Sequence, residues 1–463
     1  MYSVEQITQH MNTVKPESKF SHGADYTQIA TDWLDLNVLE CLRGLDNQIT
    51  GAKLVDFRVM NVRDHFAYKY NGKRWFDELN SWFPFYTMMV RGRNISGHSE
   101  ISKVKLIHNR LELFAHFYNK DFSDTLLKVN PISAENCELT PIDAKNLQRY
   151  IDNTVHTVDN STKYDKNKLL NYLYKAKSIL DISNAHNGVL PQNYSVKPTG
   201  RTYMSGVNLQ NCKTTVRNAA IGKCYKYDLR TSVFSHMLQL LIDHYGEQFN
   251  VKASYINELV QHKKRVRKTI ARDALTHTKT DIDVKISLVK EALTALSFGA
   301  TEKGKSIGDI IYHKADREAF FEHEFVKELK KEIDLYKDIM KISYPQGKKQ
   351  YGEYLRKNGR TSLNKWCSFA YQAIESMIIN HIKANAIRGD VLLCVHDALY
   401  TRNRQDLHLL NHEASQLSTT CQFEEEVVDR VHGISYNISD VNAHKQHIAR
   451  EEQKARGEIN KYA

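Results

Sequence analysis

The feature that most constrains the fold is the order of two short acidic strand patterns and the helical sequence between them. Residues 222–228 (GKCYKYD) predict a short strand that ends at Asp228. Residues 391–402 (VLLCVHDALYTR) place two apolar runs around the pair His396-Asp397, which is the pattern of a β-hairpin. Helical periodicity prevails in residues 233–380. One acidic strand end therefore precedes a large helical block, and an acidic hairpin follows it.

Asp228 and Asp397 are the candidate metal ligands. Nucleotidyl transfer needs charge neutralised on a triphosphate and a lowered pKa of the attacking 3′-hydroxyl, and two magnesium ions about 4 Å apart supply both. Magnesium prefers hard oxygen ligands and takes one or two carboxylates plus substrate phosphates. Two aspartates on adjacent strands of one sheet would suffice. Taken singly, an Asp after a strand is more often a turn or cap residue.

A helix predicted in DIDVKISLVKEALTALSFGATEKG (281–304) carries Lys285, Lys290 and Phe298. Phe298 follows Lys290 by about two helical turns, so the two side chains share one face. That face would offer a cation to a triphosphate and an aromatic ring to a base. The alternative is an amphipathic helix with a core Phe and a solvated Lys.

Composition limits the class of protein. The chain has 463 residues, 41% of them apolar, which allows a sizeable core and two or three structural units. Its net charge of +11 suits a partner rich in phosphate, although an ordinary basic enzyme is also compatible with it. The seven cysteines are scattered and show no CxxC spacing, which argues against a disulfide framework or a structural zinc site. The sequence shows no signal sequence and no long apolar run, so we expect a soluble, cytoplasmic protein with no membrane partner. If a phage or plasmid encodes the chain, its location would be the host cytoplasm.

Five sequence elements together resemble the family A DNA polymerases, the family of DNA polymerase I. TGRTYMSGVNLQN (199–211) has the form TGR, six residues, NLQN, and KYDLRTSVF resembles motif A with Asp228. Lys290 through Phe298-Gly299 looks like motif B, LNKWCSFAYQAIESMI (363–378) is similar to the palm helix that precedes motif C, and His396-Asp397 matches motif C. The elements stand in the family order and cover about residues 165–410.

The resemblance implies an α+β, helix-rich, right-hand polymerase with a small antiparallel palm sheet and helical fingers and thumb. Residues 111–198 would form a thumb-like region, 199–239 and 386–463 the palm, and 240–385 the fingers and palm helices. Residues 1–110 lie outside the resemblance and have no assigned role. The space before residue 165 is too short for a usual proofreading domain, so no 3′–5′ exonuclease is expected.

The resemblance also implies roles for individual residues. Asp228 and Asp397 would hold two Mg²⁺ ions, and Lys290, with Lys285 nearby, would bind the nucleotide and could protonate the leaving pyrophosphate. Phe298 would pack against the nascent base pair. The primer end or template would be contacted by the remaining candidates, which are Arg201, Asn211, Gln372 and His396. The expected partners are a DNA primer-template or single-stranded template and nucleoside triphosphates, with an accessory protein left open.

Departures from the family pattern keep other functions open. Val233 stands where the family normally has a Glu that lies under the sugar and excludes a 2′-hydroxyl, and Ala398 replaces the Glu that usually follows His-Asp. Ile286 replaces an Arg usually found four residues before the motif B Lys. Single-subunit RNA polymerases of phages and mitochondria also lack the motif A Glu, and they have a His where this chain has His236. An RNA polymerase or primase, and a non-catalytic nucleic-acid-binding relative, are therefore the alternatives.

Overall fold

A computed structural model of the chain describes residues 3–18, 25–43, 69–70, 73–84, 86–90, 94–95, 98–99, 103–106, 110–158, 163–343, 356–357, 360–387 and 390–431. The chain divides into two compact units, the first comprising Met1–Ser195, Met204–Gly222 and Asp429–Ile434, and the second comprising Val196–Tyr203, Lys223–Val428 and Ser435–Ala463. Much of the predicted N-terminal region 1–110, and residues 432–463 of the predicted palm, lie outside the described residues. The division into thumb, palm and fingers stays a prediction.

The first unit is mainly helical. Its helices are α1 (Val4–Ser18), α2 (Tyr26–Arg43), α3 (Trp75–Trp82), α4 (Arg110–Tyr118), α5 (Ser123–Val129), α6 (Ala144–Val158), α7 (Lys163–Ala185) and α8 (Thr214–Ile221). Its short strands are β1 (Lys69–Tyr70), β2 (Lys73–Arg74), β3 (Tyr86–Val90), β4 (Asn94–Ile95), β5 (His98–Ser99), β6 (Lys103–Leu106), β7 (Cys137–Pro141) and β8 (Val189–Val196), and β9 (Thr202–Ser205) follows in the chain. Large buried side chains such as Trp33, Phe117 and Tyr150 fill its core. The helix predicted at residues 166–182 lies within α7.

Helices also dominate the second unit. They are α9 (Ser232–Tyr245), α10 (Phe249–Lys252), α11 (Ser254–Ala274), α12 (Ile282–Ser297), α13 (Lys305–Ile310), α14 (Lys314–Glu322), α15 (Glu324–Ser343), α16 (Leu363–Asn385) and α17 (Leu407–Ser415), with a 3₁₀ turn at Gly246–Gln248. Helix α9 is apolar on most of its surface, and most of its residues from Ser232 to Leu241 are buried, as expected for a central helix. No helix within the described ranges has the length and apolar character needed to cross a bilayer.

One four-stranded antiparallel sheet organises the second unit. Its strands are β10 (Cys224–Leu229), β13 (Val391–Val395), β14 (Ala398–Thr401) and β15 (Phe423–Val428), in the order β13-β14-β10-β15. A separate two-stranded ribbon is formed by β11 (Arg356–Lys357) and β12 (Arg360–Thr361). The predicted strand before Asp228 and the predicted hairpin around His396-Asp397 are both present. At this level the expected α+β class agrees with the structure, since helices prevail and the sheets are small and antiparallel.

Helix α16 connects the two hydrophobic cores of the second unit. Its first half contributes Trp366 and Phe369 to the core formed mainly by helices α9 to α15. Its second half contributes Ile378 and Ile382 to the core beneath the four-stranded sheet, where Tyr227 and Leu399 also lie. The spacing of these buried residues is that of a helix with one apolar stripe. The helix therefore passes from one core to the other close to the acidic end of β10.

Candidate active site at the four-stranded sheet

Asp228 lies in β10, and Asp397 lies in the turn that leads into the neighbouring strand β14 of the same sheet. In the register between β10 and β14, Asp228 is paired with Ala398, the residue that directly follows Asp397. The backbone N–H of Leu229 donates a hydrogen bond of 3.2 Å to the carbonyl oxygen of Asp397. Two carboxylates 169 positions apart in the chain are thus held at one end of one sheet by main-chain pairing.

Strained backbone flanks both aspartates. His396 and Asp397 form the two-residue connection between β13 and β14, since Val395 pairs with Ala398. His396 has a φ of 55°, and Thr231, three residues after Asp228, has a φ of 50°. A positive φ is uncommon outside glycine and is a marked outlier for a β-branched residue such as Thr. Such conformations cost about 1–3 kcal/mol each and are concentrated at functional sites.

The carboxylate of Asp397 is buried and lies within reach of other negative charges. Burial raises the pKa of Asp397 to about 7, and the negative charges of Glu375 and Asp228 add to this effect. Asp228 is more open, with 44% of its side chain exposed, and its Oδ2 lies 3.4 Å from the Nζ of Lys226. Burial opposes the charge of Lys226, but Asp228 and its other acidic neighbours raise the pKa of this lysine overall. A cation placed between the aspartates would relieve their repulsion.

The carboxylate oxygens at this end of the sheet are compatible with a magnesium site that has few protein ligands. The carboxylate oxygens of Asp228 and Asp397 are hard ligands of the kind that Mg²⁺ prefers, and one or two of them are enough when substrate phosphates complete the coordination. Across the parts of the chain that the structure describes, no group of three or more His, Cys, Asp or Glu side chains has an arrangement that could hold a metal ion. Any magnesium bound here would therefore complete its coordination with water molecules or with oxygen atoms from its substrate.

A buried charged network lies beside the aspartates, and the sequence reasoning missed its centre, Glu375. Only 2% of Glu375 is exposed. Its Oε1 accepts hydrogen bonds from Nε of Arg201 at 3.1 Å and from Nη2 of the same guanidinium. Its Oε2 accepts from the hydroxyl of Tyr371 and from Oγ of Ser232 at 3.4 Å. These contacts join segments whose sequence separation reaches 174 positions, so no local pattern could have indicated them.

The predicted site residues Arg201 and Gln372 belong to this region, and His396 lies next to it. Arg201 is bound by Glu375 as described, and Gln372 neighbours Tyr371 on α16, where its Nε2 donates to Oγ of Ser368 at 3.4 Å. The ring of His396 lies 5.8 Å from the ring of Tyr203, two residues after Arg201. Their proposed contacts with a primer stay predictions.

The predicted aromatic residue of motif B also reaches this network. The ring of Phe298 lies 6.0 Å from the ring of Tyr371. Gly299 has a φ of +85°, and a Cβ there would lie 2.0 Å from Nδ2 of Asn364. The aromatic-Gly pair therefore has a structural explanation, because Gly299 ends α12 in the left-handed conformation typical of a helix C-terminus. This explanation is independent of any role in nucleotide binding.

The two candidate lysines of α12 differ in their surroundings. Lys290 is exposed to solvent, as a residue that meets a triphosphate needs to be. Lys285 is partly buried, and its Nζ donates a hydrogen bond of 2.6 Å to the carbonyl oxygen of Leu275, just after the end of α11. Lys285 thus has a structural role in joining two helices. A nucleotide contact stays a prediction for both lysines.

Val233 and His236 lie on the buried side of α9. Val233 is 8% exposed and belongs to the helical core. His236 is 5% exposed and contacts the rings of Tyr336 and Tyr371 at 6.0 and 6.4 Å. Its Nε2 has no hydrogen-bond partner among the described residues, and burial lowers its pKa to about 4. The ring is therefore neutral at physiological pH.

Asn211 belongs to the first unit, whereas the residues above belong to the second. Its Nδ2 donates to the carbonyl oxygen of Met204 at 3.2 Å, and its backbone N–H donates to Oδ1 of Asn208 at 2.8 Å. Its own carbonyl oxygen accepts a bond of 2.8 Å from Nζ of Lys175. These bonds stabilise the NLQN turn. The predicted primer contact of Asn211 stays a prediction.

The chain is similar in part to a solved polymerase structure. The POL domain of Pol1 from M. smegmatis, in complex with DNA primer-template and dNTP, matches with a TM-score of 0.43 and 12% sequence identity, covering 69% of this chain and 72% of that chain. No protein-family profile and no curated protein matches the sequence.

Proposed function

We propose that the chain is a template-directed DNA polymerase, which adds nucleotides to a 3′-hydroxyl by two-metal nucleotidyl transfer and lacks 3′–5′ exonuclease activity. The observation that carries the proposal is the placement of Asp228 in β10 beside Asp397 in the turn before the paired strand β14, where the charge of Asp228 acts on Asp397. Reactions of phosphates are catalysed chiefly by positioning and charge stabilisation, and a rigid pair of carboxylates meets that requirement.

In this function the protein residues divide the work of binding and orientation. Asp228 and Asp397 would hold Mg²⁺, which when bound neutralises the triphosphate and lowers the pKa of the attacking hydroxyl. Lys290, exposed on α12, would bind the triphosphate, and Phe298 would present its ring to the nascent base pair. The positive charge of the chain suits a primer-template, because Lys and Arg side chains that neutralise phosphates release counterions.

A ribonucleotide-polymerising enzyme is the second candidate, and one observation favours it. Val233 offers no carboxylate under the sugar, and it is an apolar core residue rather than a polar group facing a substrate. A 2′-hydroxyl would therefore meet no charged barrier at this position. Discrimination between deoxyribose and ribose would then depend on other residues.

The experiment is primer extension with Mg²⁺, in which dNTPs and NTPs are offered separately, with and without a primer. We expect primer-dependent extension with dNTPs. Asp397→Asn should abolish extension and leave primer-template binding nearly intact, because it removes a metal ligand and not a phosphate contact. The matched control is Asp243→Asn, which changes an exposed aspartate of α9 that accepts a bond from Gln239, and it should retain activity.

Three outcomes contradict the proposal in different ways. Extension with NTPs alone, or without a primer, would assign the chain to the RNA polymerase or primase class. Binding of primer-template with no extension under any condition would indicate a non-catalytic nucleic-acid-binding protein. Extension by Asp397→Asn at the wild-type rate would refute the metal assignment.

A further inference from the structure

Glu375 has no part in the proposed chemistry, yet it is among the most thoroughly bonded buried charges of the second unit. It lies on α16 between the residues that enter the helical core, such as Phe369, and those that enter the core beneath the sheet, such as Ile378. A buried carboxylate is stable only when it is paired and hydrogen-bonded. Glu375 meets that condition through Arg201, Tyr371 and Ser232.

The ion pair with Glu375 determines which other groups the guanidinium of Arg201 can bind. A guanidinium keeps its charge at any physiological pH and binds carboxylates readily. The segment of Arg201 reaches the turn that holds Asp397, since the ring of Tyr203 lies 5.8 Å from the ring of His396. The charge of Arg201 acts on Asp397 in the direction opposite to the charges of Glu375 and Asp228. Both Nε and Nη2 of the guanidinium are directed to Oε1 of Glu375. An unpaired guanidinium in the same place would be free to bind an aspartate and compete with a divalent cation.

We propose that Glu375 is a positioning residue of the site, which binds Arg201 and thereby keeps the carboxylates of Asp228 and Asp397 available for a divalent cation. Glu375 is not itself a metal ligand, because both of its oxygens are occupied by protein donors. Tyr371 fixes the orientation of the carboxylate, and its ring contact with Phe298 connects that orientation to the end of α12. This inference rests on the proposed function, since it concerns the same pair of aspartates.

The test measures Mn²⁺ binding to the full chain by electron paramagnetic resonance, in the absence of nucleotide and primer. Glu375→Gln keeps the shape of the side chain and removes its charge, so Arg201 loses its ionic partner. We expect the Kd for Mn²⁺ to rise about tenfold, which corresponds to about 1.4 kcal/mol. In the double variant Arg201→Met/Glu375→Gln the competing cation is also gone, and we expect the Kd to return to within about threefold of the wild-type value.

The matched control is Glu332→Gln, which changes another buried glutamate of the second unit. Glu332 accepts bonds from the backbone N–H groups of Tyr255 and Ile256 at the start of α11, so its loss should lower the melting temperature. A general loss of packing would weaken Mn²⁺ binding in this variant too, whereas the proposal expects its Kd to be unchanged. This contrast separates a positioning effect from a merely structural one.

A second variant keeps the proposal testable if Glu375→Gln does not fold. Arg201→Met removes the guanidinium and leaves the carboxylates, so its Kd for Mn²⁺ should be equal to or lower than the wild-type Kd. A tenfold weaker binding in Arg201→Met, or wild-type binding in folded Glu375→Gln, would overturn the proposal. A failure of the proposed function would give a different result. In that case Asp397→Asn would bind Mn²⁺ with the same Kd as the wild type.

Discussion

The neutral, buried His236 leads to a prediction about stability and pH. Its pKa falls from 6.5 to about 4 on folding, because burial among the rings of Tyr336 and Tyr371 disfavours the imidazolium. At pH 8 the ring is neutral in both the folded and the unfolded chain, so it does not affect the free energy of unfolding. As the pH drops below 6.5, the unfolded chain binds the proton first, and the folded state loses stability until the pH reaches about 4.

The size of the effect follows from the same two values. This difference in pKa lowers the free energy of unfolding by about 3 kcal/mol once the pH is well below 4, and by about 2 kcal/mol at pH 5. His236→Leu removes the titrating group and keeps the site apolar. Between pH 8 and pH 5 the free energy of unfolding of this variant should therefore fall by about 2 kcal/mol less than that of the wild type.

Urea denaturation followed by circular dichroism at pH 8 and pH 5 measures this difference. The matched control is His244→Leu, which changes an exposed histidine in the last turn of the same helix and should leave the pH dependence of the wild type unaltered. If His236→Leu loses as much stability as the wild type between the two pH values, the buried ring is not the group that couples folding to acid, and the reasoning is refuted.

Four further predictions concern the site and its supports. His396→Gly should raise the melting temperature, because glycine relieves a positive φ that costs about 1 kcal/mol or more. Calorimetry should show the added stability, and primer extension should show no added activity. Gly299→Ala should destabilise the chain in urea denaturation by more than about 1 kcal/mol, since its Cβ would collide with Asn364. Lys290→Met should raise the KM for the nucleotide and leave the melting temperature unchanged. Lys285→Met should lower the melting temperature, because its hydrogen bond to the carbonyl oxygen of Leu275 is lost. A raised KM in Lys285→Met together with a lowered melting temperature in Lys290→Met would exchange the two roles. Val233→Glu should lower the melting temperature sharply, since it introduces an unpaired charge into the helical core, and a stable variant would show that this position faces solvent or substrate.

The local parts of the site could be predicted from the sequence because local patterns specify them. The alternation of apolar residues around His396-Asp397 predicts a hairpin, and the strand before Asp228 is recognisable in the same way. Phe298 and Gly299 lie at a helix end that glycine indicates. For each of these residues the information lies within a few positions of the residue itself.

The electrostatic part of the site could not be predicted in this way. Glu375 follows Tyr371 by one helical turn, a spacing that is common on any helix and indicates nothing specific. Its importance arises from Arg201 and Ser232, which reach it only through the packing of α16 against other elements. The role of Lys285 as a bond donor to Leu275 was likewise invisible, because the helical pattern does not show which carbonyl oxygens need a partner at the end of α11.

The two-residue connection between β13 and β14 places a strict limit on the length of this hairpin. Side chains alternate between the two faces of a strand, so one inserted residue after Asp397 would shift Ala398 away from Asp228 and move Leu399 from the hydrophobic core to the opposite face. The same insertion would separate the carbonyl oxygen of Asp397 from Leu229. Homologous chains that use this arrangement should therefore vary in sequence along the hairpin but keep its length unchanged.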